Sequence, residues 1–233
     1  MTQQASIGSV HQDGSPGWWR VYLGHRYAVL FYSLILTLVV APILKAIGMQ
    51  GNGMQLFLGL NLPAASVPLE SRKERWLLPV IVLVAIVLRI VSVQAGHAGL
   101  STLSLWLWTA IGLYAVFMAL RFALCSHVIT SEHLYAALSA YLLAGVFMGV
   151  LYWSLDQVWQ NSIIVNGPGA SDPFLLGEGV YFSFITLATV GYGDMVPGNG
   201  VVRNLAIVEA IAGQFYLAVM IARLMSLYMR EAR

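Results

Sequence analysis

The residues best placed to do chemistry are Thr189-Val190-Gly191-Tyr192-Gly193-Asp194. None of the first five is a strong nucleophile or base. The run offers oxygen instead: a threonine hydroxyl and a series of backbone carbonyls. Pointing successive carbonyls toward one axis needs backbone conformations that ordinary residues disfavour. Gly191 and Gly193 lack a Cβ and reach positive φ without penalty. Such a stack can replace the water that an ion sheds on entering a narrow pore. A bare V-G-Y-G also fits a β-turn in any protein. Its setting separates the two readings, because this one lies between two apolar spans and follows a short helix-compatible run.

Thr189 to Gly193 spell T-V-G-Y-G, and on that motif the chain resembles the tetrameric potassium channel family, in its prokaryotic form with one pore loop per chain. The resemblance implies that the carbonyls of Thr189, Val190, Gly191 and Tyr192, with the Thr189 hydroxyl, are the potassium ligands, and that Gly193 completes the filter. Potassium is then the permeant ion, and no other cofactor is expected. The resemblance also implies that Tyr192 points away from the ion and packs on the pore helix near Tyr181 and Phe182. Thr186 would support the filter from behind, and Asp194 would sit at the outer mouth. One filter per chain cannot close around an axis, so three further copies are expected in a homotetramer.

A bilayer is the expected solvent. The chain is 59% hydrophobic and only 9% charged, with mean hydropathy +0.77, against about 25% charged residues in a soluble domain. A net charge of +2 and the lack of a basic run exclude a nucleic-acid partner. The single cysteine, Cys125, excludes an intrachain disulfide and a CxxC metal site. Residues 1–26 read as a cytoplasmic tail. Met1–Gly17 lacks the order of a signal peptide, and Trp18, Trp19 and Tyr22 suit the membrane interface.

A membrane helix needs about 20 apolar residues. Tyr27–Ile47, Trp76–Val93, Leu103–Leu124, Leu134–Leu155 and Val201–Met225 qualify. Met54–Leu69 is short and holds Asn61, Pro63 and Pro68. Charge decides in its favour. With six spans and the N-terminus inside, the inside holds Arg20, Arg26, Arg72, Lys73, Arg75, Arg121, Arg223, Arg230 and Arg233. The outside holds only Lys45 and Arg203, and Arg89 lies within a span. That asymmetry follows the positive-inside rule. The expected fold is therefore an all-α membrane protein. It has six transmembrane helices, a re-entrant pore helix and a filter loop, both termini cytoplasmic, in the cell membrane of a bacterium (the inner membrane).

The expected pore domain is residues 134–229: outer helix 134–155, turret 156–177, pore helix 178–188, filter 189–193 and inner helix 201–225. Ser171-Asp172-Pro173 could cap a first turn. The C-terminal end of the pore helix, with its partial negative charge, would favour a cation. Gly213 stands twenty residues after Gly193, where inner helices of the family often carry a hinge glycine; close packing against the pore helix is the competing reading. Phe215, Tyr216, Met220 and Leu224 are candidates for the cavity wall and gate. Glu209 is the unusual residue, because a carboxylate within a span is costly without a partner. It is either a cavity charge that concentrates cations or, the favoured reading, a buried carboxyl bonded behind the pore helix, with Thr186, Ser183 and Gln214 as local partners.

Residues 27–124 occupy the place of the voltage-sensing domain in six-helix channels. A sensor repeats Arg or Lys along its fourth helix, whereas Leu103–Leu124 carries only Arg121, at one end. Steep gating needs about 3–4 charges per subunit moving through the field, so voltage dependence is expected to be weak. Trp106, Trp108, Tyr114 and Phe117 read as packing or interface anchors. His97, His127 and His133 read as solvated loop histidines rather than pH sensors. With the last span ending near Met225, regulation by a soluble nucleotide or calcium domain would need a second protein. No Ser-His-Asp set, HExxH, P-loop or paired intramembrane carboxylate is present, so an enzyme has no support. The alternatives are a voltage-gated potassium channel with atypical gating charges and a non-conducting regulatory subunit.

Overall fold

A computed structural model describes residues 25–46, 84, 87–88, 98–124, 131–166 and 174–231. Five helices and two short strands are defined there: α1 (Arg26–Ala46), α2 (Ala98–Leu124), α3 (Ser131–Val158), β1 (Ile163–Val165), α4 (Leu176–Leu187), β2 (Met195–Pro197) and α5 (Gly200–Glu231). Three of these helices are long and apolar enough to cross a membrane, through Trp106–Leu124, Ser131–Val158 and Gly200–Arg223. The expected spans Met54–Leu69 and Trp76–Val93 lie outside the described residues, save three helical positions at 84, 87 and 88. So do the tail Met1–Gly17, Arg89, His97, His127 and the proposed cap at Ser171-Asp172-Pro173.

Helix α3 is the hub, and α1, α2 and α4 all pack on it. Its small residues Ala136, Ala137 and Ala140 are buried, as are Ala115, Ala119 and Ala123 of α2. Small side chains let two membrane helices approach closely, where dispersion contacts rather than hydrophobic transfer hold them together. The ring of Phe147 lies where a Cβ on Gly112 would be. Leu30 and Leu34 of α1, Leu143 and Val146 of α3 and Met220 of α5 complete the same core.

Polar contacts tie the ends of these helices together. The first N–H groups of a helix have no partner within it. Glu132, in the first turn of α3, accepts the Tyr27 N–H of α1 at 3.0 Å. The His133 ring stacks on Phe122 of α2 with centroids 4.6 Å apart, and the Arg26 guanidinium lies 5.1 Å from the Phe122 centroid. His133 is thus helical and packed rather than a solvated loop residue. Arg223 of α5 donates to the Ala123 carbonyl near the end of α2. Trp108 is buried, while Trp106, Tyr114 and Phe117 are exposed on the outer face of α2.

The mostly helical structure is consistent with the expected all-α class, with one addition and some shifted bounds. The addition is a small ladder: β1 and β2 pair antiparallel, with Ile163 opposite Pro197, Ile164 opposite Val196 and Val165 opposite Met195. The Gly, Pro, Asn and Ser of 156–177 read as loop, yet the β-branched run Ile163-Ile164-Val165 within it suits a strand. The helix bounds also move. The outer helix runs through Val158 rather than 155, the inner helix through Glu231 rather than 225, and α4 starts at Leu176 rather than 178. The last shift has a local cause: the Glu178 carboxylate reaches back to accept the Leu175 N–H at 2.7 Å, half of a capping box.

Candidate functional site

The site begins where α4 stops. Ala188 N–H donates to the Phe184 carbonyl and Thr189 N–H to that of Thr186. Val190 and Gly191 N–H both donate to the Ile185 carbonyl, at 2.8 and 3.1 Å. The last carbonyls of a helix are otherwise orphans, so the following strand satisfies them and is held against the helix end. The N–H groups of Thr189, Val190 and Gly191 are spent in doing so. Among the described residues, none donates to the carbonyls of Thr189, Val190, Gly191 or Tyr192.

The strand alternates in handedness. Thr189, Gly191 and Gly193 have φ of 55°, 54° and 82°, whereas Val190 and Tyr192 do not take positive φ. Glycine explains two of the three. Thr189 is β-branched, and positive φ there is a genuine outlier. Such strain, of order 1–3 kcal/mol, persists only where the surroundings over-determine it. Here the surroundings are the amide bonds to α4 and a carboxamide from α5: Gln214 Nε2 donates to Thr189 Oγ1 at 3.1 Å.

The outer end is tied as well. Asn166, just past β1, donates its side-chain amide to the Gly193 carbonyl at 3.3 Å and its N–H to the Asp194 carbonyl at 2.7 Å. Tyr181 of α4 donates to Asp194 Oδ2 at 2.8 Å, and that bond raises the titration of the Tyr181 phenol. Asp194 Oδ1 accepts the Met195 N–H at 3.0 Å. One expectation is not met within the chain. Phe182 is buried against Tyr152, ring edge to face at 4.9 Å, while the Tyr192 ring is 73% exposed.

Behind α4 lies a buried polar knot. Glu209 of α5 is 3% exposed. Its Oε1 accepts the Ser183 hydroxyl of α4 at 2.5 Å, and its Oε2 accepts the Tyr152 hydroxyl of α3 at 2.6 Å. One carboxyl therefore bonds to two other helices. Of the three expected partners only Ser183 is one. Thr186 instead donates to the Phe182 carbonyl one turn back, and Gln214 is engaged with Thr189. Tyr152, fifty-seven residues away in sequence, was not foreseen.

Glycines make these approaches possible. A Cβ on Gly213 would meet the Leu187 carbonyl, and one on Gly179 would lie 2.6 Å from the Gly149 carbonyl. The position of Gly213 is thus one of close packing against the end of α4. Met220, 9% exposed, sits in the intrachain core. Tyr216 packs on that core and donates to the Ala137 carbonyl. Phe215 points outward at 67% exposure, and the Leu224 side chain lies outside the described residues. Among the described residues no group of three or more His, Cys, Asp and Glu side chains could hold a metal ion.

Known proteins resemble part of this chain. Protein LctB of Bacillus caldotenax is 32% identical over 101 residues, which cover 42% of this chain and 74% of that protein. No solved structure matches. A family model described as an ion channel matches residues 128–230, the segment that spans α3, the tied strand and α5. On these two matches the chain belongs to the ion channel family.

Proposed function

We propose that this chain is one subunit of a potassium-selective homotetramer that conducts potassium passively across a bacterial cell membrane. The observation that carries the reading is the strand at 189–193. Alternating φ, with the N–H groups of Thr189, Val190 and Gly191 committed to α4, leaves a run of neutral carbonyls and one hydroxyl. Rings of such oxygens substitute for the water of a monovalent cation. Potassium would be held by the carbonyls of Thr189, Val190, Gly191 and Tyr192 and by the Thr189 hydroxyl. Six spans, cytoplasmic termini and an additional regulatory subunit remain part of the proposal.

Strong voltage gating is not part of it. Arg121 lies in the last turn of α2, where a charge crosses little of the field. A gating charge of several elementary units traced to α2 would sink this point. The conduction reading is tested by recording purified protein in a planar bilayer, potassium on one side and sodium on the other. Reversal near the potassium equilibrium potential is expected. Reversal near zero would replace the reading with a nonselective pore.

A further inference from the structure

We infer that Gln214 is a specificity-determining residue, a carboxamide on α5 that orients the Thr189 hydroxyl and thereby tunes the innermost cation site of the strand. The inference rests on the conduction reading and goes beyond it. Thr189 is the only residue of the 189–193 run that offers a side-chain oxygen other than the Tyr192 phenol. A threonine hydroxyl rotates among staggered positions unless something holds it. Gln214 Nε2 lies 3.1 Å from Thr189 Oγ1, so the donor occupies one acceptor site of that oxygen and restricts its rotation.

The carboxamide is not a free arm. The segment of α5 that bears it is seated on α4 at two further points. Glu209 is bonded to Ser183, and Gly213, the residue before Gln214, packs on the Leu187 carbonyl. Less than two turns of α5 thus fix where Nε2 stands relative to the strand. A pre-organised ligand binds its ion more tightly than one that must be ordered first. Gln214 belongs to the positioning of the site; it is not assigned as an ion ligand. The shorter amide of asparagine, one methylene less, would fall short of Oγ1 from the same backbone.

Barium is a suitable probe, being a divalent cation of nearly the size of potassium that binds oxygen ligands more strongly. Purified wild type, Gln214→Leu and Gln214→Asn would be titrated with barium by calorimetry, and barium block of potassium flux would be measured in liposomes. The expected result is that both variants weaken barium binding and block by about tenfold, with Gln214→Leu at least as affected as Gln214→Asn. The binding readout needs no conduction, so a silent variant still answers. If Gln214→Leu fails to assemble, Gln214→Asn keeps the same test. Wild-type potassium flux together with unchanged barium affinity in an assembled variant would overturn this inference alone. Neither flux nor barium binding in folded wild type would overturn both it and the conduction reading.

Discussion

The two faces of α4 are finished to different degrees. Behind it, Ser183 is bonded, Val180 and Phe182 are buried, and the Glu209 carboxyl has a partner on each oxygen. In front, Val190 is 50% exposed, Tyr192 more so, and the carbonyls between them receive no bond from the described residues. A strand with unpaired carbonyls and exposed apolar side chains is incomplete by itself, since buried backbone groups are almost always satisfied. The contrast teaches that one chain builds the support for the site and, under the proposed function, only a sector of the site itself. The back is a matter of folding stability. Under the proposed function, the front is the face that other copies and an ion would cover.

If that division holds, substitutions on the front should cost conduction and those on the back should cost stability. The largest effect is expected from Gly191→Ala. A Cβ there would meet nothing within 4 Å, so space is not the obstacle. The obstacle is φ of 54°, where an L side chain costs about 1–2 kcal/mol per residue. Potassium flux from liposomes should vanish or lose selectivity while the helical circular dichroism stays unchanged. A variant that still selects potassium over sodium would show that the left-handed backbone at 191 is dispensable.

Next in size is Glu209→Leu, which strands the Tyr152 and Ser183 hydroxyls in the interior. Each unsatisfied group costs about 1–3 kcal/mol, so thermal unfolding in detergent should shift down by several degrees. Glu209→Gln keeps an acceptor and should cost less. Should Glu209→Gln instead melt like wild type yet lose most of its conductance, the carboxylate serves the ion, and the contrast between the faces fails at this residue.

Gly179→Ala tests the same back face through packing. Its Cβ would press on the Gly149 carbonyl, a backbone atom that cannot swing aside. Overpacking of this kind costs about 1–3 kcal/mol, and the melting temperature reports it. An unchanged melt would mean that α3 and α4 can separate slightly at no cost.

The smallest effect is expected from Tyr181→Phe, at the exposed outer end. Its bond to Asp194 exists while the phenol is protonated. Because the folded phenol titrates above its ordinary value, the contribution is complete at neutral pH. It is lost only as alkaline pH rises through that raised value. Flux in the variant should differ little from wild type at neutral pH, and an alkaline change expected of the wild type should be absent in it. A variant with the same alkaline profile as wild type would assign that profile to another group.

What could be read in the sequence follows the range of the interaction. The two glycines of the strand announce positive φ because chirality acts within a single residue. Thr189 gave no such notice, since a β-branched residue adopts that conformation only when distant groups impose it. Glu209 announced a need for partners, and Ser183, which shares its depth in the span, could be guessed. Tyr152 could not, because its hydroxyl reaches Glu209 only after α3 and α5 have both packed around α4. The β1–β2 pair was hidden for the same reason: Ile163-Ile164-Val165 suits a strand, but a strand needs a second one, and Met195–Pro197 lies thirty residues on.

The sequence by itself determined that the chain is apolar enough for a bilayer, that Thr189–Gly193 carries a run of usable oxygens, and that a carboxylate sits within a span. These are properties of composition, local chirality and side-chain chemistry, which do not depend on where the chain goes. Only the tertiary structure decided that Gln214 meets Thr189, that Asn166 holds the Gly193 carbonyl, and that Gly213 packs on Leu187. Those contacts join residues far apart in the chain, and a hydrogen bond forms only when packing has brought donor and acceptor within about 3 Å of each other.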